Sequence, residues 1–254
     1  MPDRIIAIDT HTHINHGHKL DSHTDNKLYD ATLPYIRKVT KAADIGKMFC
    51  STFASVLSDE FVEEENEYMF SLAKETDYLY QWVVLDPRND ITFHQAEKML
   101  QSDKCVGIKL HPVCHKYTLA EYGDKLFSFA SEFKAIVQIH PETDADYILP
   151  FANRYPDVTF ILAHMGSYKD ESYANAIEFA VNGNVYTDTS GIASSWNKGV
   201  EYVVERVGSE RILFGTDTYA PGFQRGRIDY ALVSDKDKYN ILCGNAQKLF
   251  KKWL

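Results

Sequence analysis

The feature that most constrains this chain is a repeat of form. Short apolar runs alternate with amphipathic stretches along all 254 residues. The runs fall at 5–13, 47–53, 79–85, 105–112, 135–140, 158–164, 185–190 and 211–217. Between them, 32–44, 63–76, 92–100, 120–133, 144–155, 171–181 and 198–207 read as helices, and the chain is helical again from about 226. Strands that alternate with helices predict a parallel sheet. Eight such units in 254 residues match the size of a (β/α)8 TIM barrel. No Pro/Gly/Ser linker or low-complexity stretch interrupts them, so 1–254 is expected to be one barrel domain. Two smaller doubly wound domains would share the alternation, but no boundary separates them and no GxGxxG follows the first run.

In such a barrel the carboxyl ends of the strands ring one face, where active sites sit. The polar residues fall at those ends. The first run closes on His11-Thr12-His13, and strand side chains two apart point the same way, so the two imidazoles emerge together. In the fourth run, alternation sets Lys109 and His111 on one face against Val106, Ile108 and Leu110 on the other. The fifth run ends in His140, the sixth in His164 and the last in Asp217. Taken singly, each has a plain reading as a strand-end histidine, a core histidine bonded to a carbonyl, or a turn-capping aspartate. Together they meet in one pocket, and only if the barrel forms.

Neutral imidazoles with one carboxylate suit a divalent ion, Zn²⁺ first and Mn²⁺, Fe²⁺ or Co²⁺ with less preference. Such an ion brings the pKa of water toward neutrality and so provides a nucleophile at pH 7. Asp217 can hold the ion and also accept a proton from that water. His164 reads as an acid or base, as a group polarising a substrate carbonyl, or as a further ligand. The polar stretch 15–30 carries His16, His18 and His23; these read as solvated loop residues beside the site, with a lid role open.

The set Ile8-Asp9-Thr10-His11-Thr12-His13, Gly107-Ile108-Lys109-Leu110-His111-Pro112, Ile139-His140-Pro141-Glu142, Ala163-His164-Met165-Gly166, Tyr186-Thr187-Asp188-Thr189-Ser190 and Leu213-Phe214-Gly215-Thr216-Asp217 resembles the amidohydrolase superfamily over nearly the whole chain. It is most similar to the amidohydrolase-2 branch, whose members include aminocarboxymuconate semialdehyde decarboxylase and pyrone dicarboxylate lactonase. The late Ile241-Leu242-Cys243-Gly244-Asn245-Ala246 is similar to that branch's closing helix. The resemblance implies a distorted (β/α)8 barrel with a metal at its carboxyl face. It implies His11, His13, His140 and Asp217 as ligands, with His164 as the catalytic or second-metal histidine. Lys109 stands where two-metal members carry a carboxylated, bridging lysine. Its other reading is a plain lysine that binds a substrate carboxylate, and one ion is expected rather than two.

The leading functional expectation is a metal-dependent hydrolase that attacks the amide, ester or lactone carbonyl of a small polar or anionic molecule, with Asp217 and His164 catalytic. The alternative is a metal-dependent, non-oxidative decarboxylase of an unsaturated or aromatic acid. That reaction needs a cationic clamp, and Lys109, His111, Arg225 and Arg227 are the candidate substrate-binding residues. A third reading is an inactive binding protein on the same barrel. The net charge of -9 argues against a nucleic-acid or anionic-membrane partner, since either needs a basic patch. No apolar run approaches membrane-spanning length. The start, Met1-Pro2-Asp3-Arg4, has no signal-peptide pattern. Cys50, Cys105, Cys114 and Cys243 form no CxxC and are expected as reduced thiols, so a cytoplasmic location is expected. The aromatic content leaves a homo-oligomer interface open, with a core role the plainer account.

Overall fold

A computed structural model describes residues 4–17, 28–142, 144–166, 172–191 and 196–254. Eight strands form one sheet in chain order: β1 (Ala7–Ile14), β2 (Ile45–Thr52), β3 (Leu79–Val84), β4 (Cys105–Leu110), β5 (Ile136–Ile139), β6 (Thr159–Leu162), β7 (Val185–Asp188) and β8 (Ile212–Leu213). Every neighbouring pair is parallel. The expected α/β TIM barrel is therefore what the chain forms. The seam between β8 and β1 is joined just beyond β8, where Thr10 N donates to Phe214 O at 2.9 Å and Asp217 N donates to His11 O at 2.7 Å. Asp9 staples the same seam, its carboxylate accepting from Thr216 Oγ1 at 2.6 Å and Thr216 N at 3.0 Å. Burial pushes Asp9 up to about 7, against the pull of those hydrogen bonds.

The helices are α1 (Leu33–Ala42), α2 (Phe53–Leu57), α3 (Val62–Lys74), α4 (Asp90–Met99), α5 (Pro112–His115), α6 (Leu119–Glu132), α7 (Leu149–Arg154), α8 (Ser172–Phe179), α9 (Gly199–Val207), α10 (Pro221–Asp229), α11 (Asp235–Tyr239) and α12 (Asn245–Leu249). Two of them, α2 and α5, are single turns that follow strands directly and have too few residues to show a period. Their caps explain them. Thr52 Oγ1 accepts from Ser55 N at 3.2 Å, and His111 Nδ1 accepts from Cys114 N at 3.3 Å with Pro112 opening the turn. The closing helical segment begins at Pro221 rather than about 226, and it divides into α10, α11 and α12. No described helix is long and apolar enough to cross a membrane. No disulfide joins the four cysteines.

The core has two layers. The outer one lies between strands and helices, where Ile45, Met48, Leu79, Ile108, Leu110, Val137 and Leu162 meet Ile36, Met69, Leu126 and Ile177. The inner one fills the amino end of the barrel with Ile8, Phe49, Tyr80, Trp82, Val106, Ile136, Ile161 and Leu213. Phe250, just past α12, plugs it from below, 4.7 Å from the Phe49 ring and 5.8 Å from Trp82.

One expectation about β4 changes here. Val106 belongs to the inner cluster, whereas Ile108 and Leu110 belong to the outer one. The ladder shifts register where Gln81 and Trp82 meet Cys105 and Gly107, so the strand changes faces at a bulge. Gly107, at φ 157°, is the residue that permits it: a Cβ there would lie 2.2 Å from Ile136 O. The result puts Val106, Lys109 and His111 all inside the barrel.

Candidate metal centre

The carboxyl end of the barrel opens into a cavity of about 250 Å³, lined among others by His11, His13, Lys109, His111, His140, His164 and Asp217. The seven strand-end residues that the sequence singled out, with His11 and His13 from one strand and Lys109 and His111 from another, thus share one space. Phe53, Val56, Leu57 and Val113 give it an apolar wall.

A register shift in β1 between Asp9 and Thr12 turns both His11 and His13 inward beside Ile8. Asp217 and Thr218 follow β8 at φ 53° and 64°, a left-handed bend that swings the carboxylate over the histidines. Thr218 Oγ1 locks the bend, donating to His13 O at 2.5 Å and accepting from His13 N at 2.7 Å. Gly215 lets the chain pass, since a Cβ there would lie 2.9 Å from His11 Cβ and 3.1 Å from Ser190 Cβ. His164 and Met165 also take left-handed values, φ 59° and 48°, so His164 leaves β6 pointing into the cavity rather than along the strand.

Three donor atoms converge. His11 Nε2 lies 3.2 Å from His13 Nε2, and Asp217 Oδ1 lies 3.6 Å from the first and 3.3 Å from the second. A tetrahedral shell with bonds of about 2.1 Å sets its donors about 3.4 Å apart, so this triangle has the dimensions of one face of such a shell. His11, His13 and Asp217 form one of two described residue groups able to hold an ion. The outer nitrogens fix which lone pairs face inward. His11 Nδ1 donates to Asp188 Oδ2 at 3.0 Å, and His13 Nδ1 lies 2.9 Å from Ser51 Oγ. The second group, His11, His164 and Asp188, is already bridged by hydrogen bonds through Ser190 Oγ.

Burial sets the charges. It pushes His11 down to about 3, assisted by Lys109, and it also lowers His13, His111 and His140. These imidazoles are neutral at pH 7, the state a metal requires. Burial alone would raise the two aspartates. The histidines around them, His164, His13 and His11 for Asp217 and His11 and His164 for Asp188, hold both well below the usual carboxylate range. Lys109 is pushed by burial down to about 8, and its Nζ donates to His11 Nε2 at 2.8 Å and Gln138 Oε1 at 3.0 Å.

Residues 8–252 match the family model described as amidohydrolase, in its second group. The chain belongs to the amidohydrolase family. No curated protein sequence matches it. Among solved structures, 2,6-dihydroxybenzoate decarboxylase from Rhizobium superposes with a TM-score of 0.73 at 14% identity, covering 96% of this chain and 98% of the other. A probable 2-pyrone-4,6-dicarboxylic acid hydrolase from Acinetobacter baumannii, with citric acid bound, gives 0.74 at 15%, covering 97% and 100%. The 5-carboxyvanillate decarboxylase of Novosphingobium aromaticivorans, complexed with manganese and a nitrobenzoic acid, gives 0.73 at 15%, covering 97% and 96%. At these identities the likeness is one of fold.

Within this amidohydrolase barrel the other expected site residues divide. His140 stands apart from the triangle, its Nδ1 3.2 Å from His164 Nε2 and its ring stacked on His111 at 4.0 Å. Arg225 and Arg227 do not join the cluster. Arg225 donates to Asp229 at 2.9 Å and to the carbonyls of Ala43 and Asp44, tying α10 to the end of α1. Arg227 pairs with Glu201 at 2.5 Å. Both arginines lie in α10; Asp229 is only four positions from Arg225, while Asp44 and Glu201 lie about 180 and 26 positions from Arg225 and Arg227. His16 is not simply solvated: it stacks on Tyr68 at 3.4 Å and meets Glu65 Oε1 at 3.1 Å. His18 and His23 lie outside the described residues. Sequence reasoning left out Ser51, Gln138, Asp188 and Ser190. Strand alternation held the signal for two of these, because Asp188 and Ser190 are two apart at the end of β7.

Proposed function

We propose that this cavity is a metal-dependent active site that hydrolyses a carbonyl of a small polar or anionic molecule. The observation that carries the reading is the triangle of His11 Nε2, His13 Nε2 and Asp217 Oδ1, with its outer nitrogens held by Asp188 and Ser51. His11, His13 and Asp217 would hold one divalent ion, with His140 of the same cavity as the fourth donor. Zn²⁺ suits this nitrogen and oxygen set. Mn²⁺ is the other candidate, being the ion of the 5-carboxyvanillate decarboxylase structure. The ion would supply Lewis acidity and a water nucleophile at neutral pH.

The chain's own groups do the rest. Asp217, kept ionised, accepts the proton that the attacking water loses and passes it to the leaving group. His164 lines the same cavity and is its second acid or base, acting through the contact that its Nε2 makes with His140 Nδ1 at 3.2 Å. Lys109 has three N–H donors: Gln138 Oε1 takes one, and the one that His11 Nε2 accepts is released when that nitrogen holds an ion, which leaves two for substrate oxygens. His111 shares that wall. The apolar side, with Phe53 and Val56, excludes water from the reacting carbonyl.

Decarboxylation is the second reading. It is favoured by Lys109, the one Lys or Arg among the described lining residues, and by the decarboxylases of like fold. The test is a paired panel on protein loaded with Zn²⁺ or Mn²⁺: lactones, esters and N-acyl compounds on one side, 2,6-dihydroxybenzoate and 5-carboxyvanillate on the other. Acid release without CO₂ supports hydrolysis, and CO₂ release decides for decarboxylation. Turnover by Asp217→Asn at the wild-type rate overturns the site under either reading.

A further inference from the structure

Asp188 is the hub of the hydrogen bonds behind the histidines, and an ionised carboxylate only accepts. Oδ2 takes His11 Nδ1–H at 3.0 Å and Gln138 Nε2–H at 3.2 Å. Oδ1 takes the backbone N–H of Ser190 at 3.0 Å, that of His164 at 3.2 Å, and the hydroxyl of Ser190. Ser190 has one hydroxyl hydrogen, and Asp188 receives it. Yet Ser190 Oγ also lies 2.9 Å from His164 Nδ1. The oxygen can only accept there, so His164 carries its proton on Nδ1. Its Nε2 is then a lone pair, 3.2 Å from His140 Nδ1. His140 must therefore be protonated on Nδ1 as well, and its Nε2 is bare.

We infer that Ser190 is a positioning residue that, with Asp188, sets the tautomer of His164 and through it that of His140. The chain runs Asp188, Ser190, His164, His140, each member dictating the proton position of the next. It deepens the proposed metal reading, and rests on it, because His140 can act as the fourth donor only with Nε2 bare. One carboxylate thereby orients both sides of the cavity: His11 directly, and His164 and His140 through one hydroxyl. Ser190 Oγ also lies 3.0 Å from His11 Nδ1, but Asp188 Oδ2 still takes that proton when the hydroxyl is gone, so alanine at 190 unsets His164 and His140 first, whereas a change at Asp188 breaks both branches.

The test reads tautomers directly. In ¹⁵N-histidine-labelled protein before metal is added, long-range ¹H–¹⁵N correlation spectra separate protonated from bare ring nitrogens, and His164→Gln and His140→Gln assign the signals. Wild-type protein is expected to show Nδ1–H at both His164 and His140. Ser190→Ala is expected to give mixed tautomers at both and to weaken Zn²⁺ affinity about 10-fold by chelator competition. Ser190→Thr, which keeps the hydroxyl, is expected to restore both readouts. A wild-type His164 protonated on Nε2, or unchanged tautomers in Ser190→Ala, overturns the inference. The wild-type spectrum alone decides if the alanine variant does not fold. A wild-type protein that binds no Zn²⁺ refutes the metal reading instead, and the tautomer chain is still decided by the metal-free spectrum.

Discussion

The two ends of the barrel are built by the same strands with opposite chemistry. Inward positions on β5 run Ile136, Gln138, His140, and on β7 Tyr186, Asp188, Ser190. On β4 they run Val106, Lys109, His111, and on β1 Ile8, His11, His13. The amino end is a packed apolar layer closed by Phe250; the carboxyl end is imidazole, carboxylate, amide and hydroxyl in mutual contact. Apolar burial stabilises by roughly 25 cal/mol per Å² and needs no partner. A buried polar group costs free energy unless each donor and acceptor is met. The lower layer therefore supplies stability and the upper layer draws on it. Bulges in β1 and β4 let one strand serve both layers.

This contrast is easiest to break at its extremes. Asp217→Asn should remove metal binding, more than about 100-fold in affinity. It should leave urea stability of the metal-free protein within about 1 kcal/mol. Phe250→Ala should do the reverse, costing about 3–5 kcal/mol in urea unfolding while metal per chain is unchanged. A variant of either layer that disturbs both readouts equally would refute the division.

Lys109 lies in the upper layer and gives it a pH signature. Burial pushes Lys109 down to about 8 from the ordinary 10.5, so the unfolded chain binds more protons between those values. Stability of the metal-free protein should rise with pH from about 8 to about 10.5, by roughly 3 kcal/mol. Lys109→Met should lack that rise in chemical denaturation across the same range. Ser51→Ala, which frees His13 Nδ1, should weaken metal binding about 10-fold by chelator competition. Arg227→Ala should leave metal content intact, because its partner Glu201 is not among the lining residues of the cavity, at a cost of about 1–3 kcal/mol for the mostly buried carboxylate left unpaired.

The fold was legible because the apolar runs and their order depend on local pattern alone. The convergence of the strand-end histidines in one cavity was legible because strand ends of a barrel must converge. What pattern could not carry was local geometry. The face of Val106 depends on a bulge at Gly107, and the reach of Asp217 depends on a left-handed bend held by Thr218. The short helices α2 and α5 rest on single caps, Thr52 and His111. That Arg225 and Arg227 meet Asp44 O and Glu201 was not legible, because only the folded chain brings those groups to them. Alternation places Ser190 on the inward face with Asp188, but it does not say that a carboxylate and two imidazoles surround its hydroxyl.

The most direct test of the central claim is metal per chain by elemental analysis, on wild-type protein and Asp217→Asn after identical reconstitution and dialysis. Close to one equivalent of Zn²⁺ or Mn²⁺ is expected in the wild type and none in the variant. Equal retention by both, or none in the wild type after reconstitution, would contradict it.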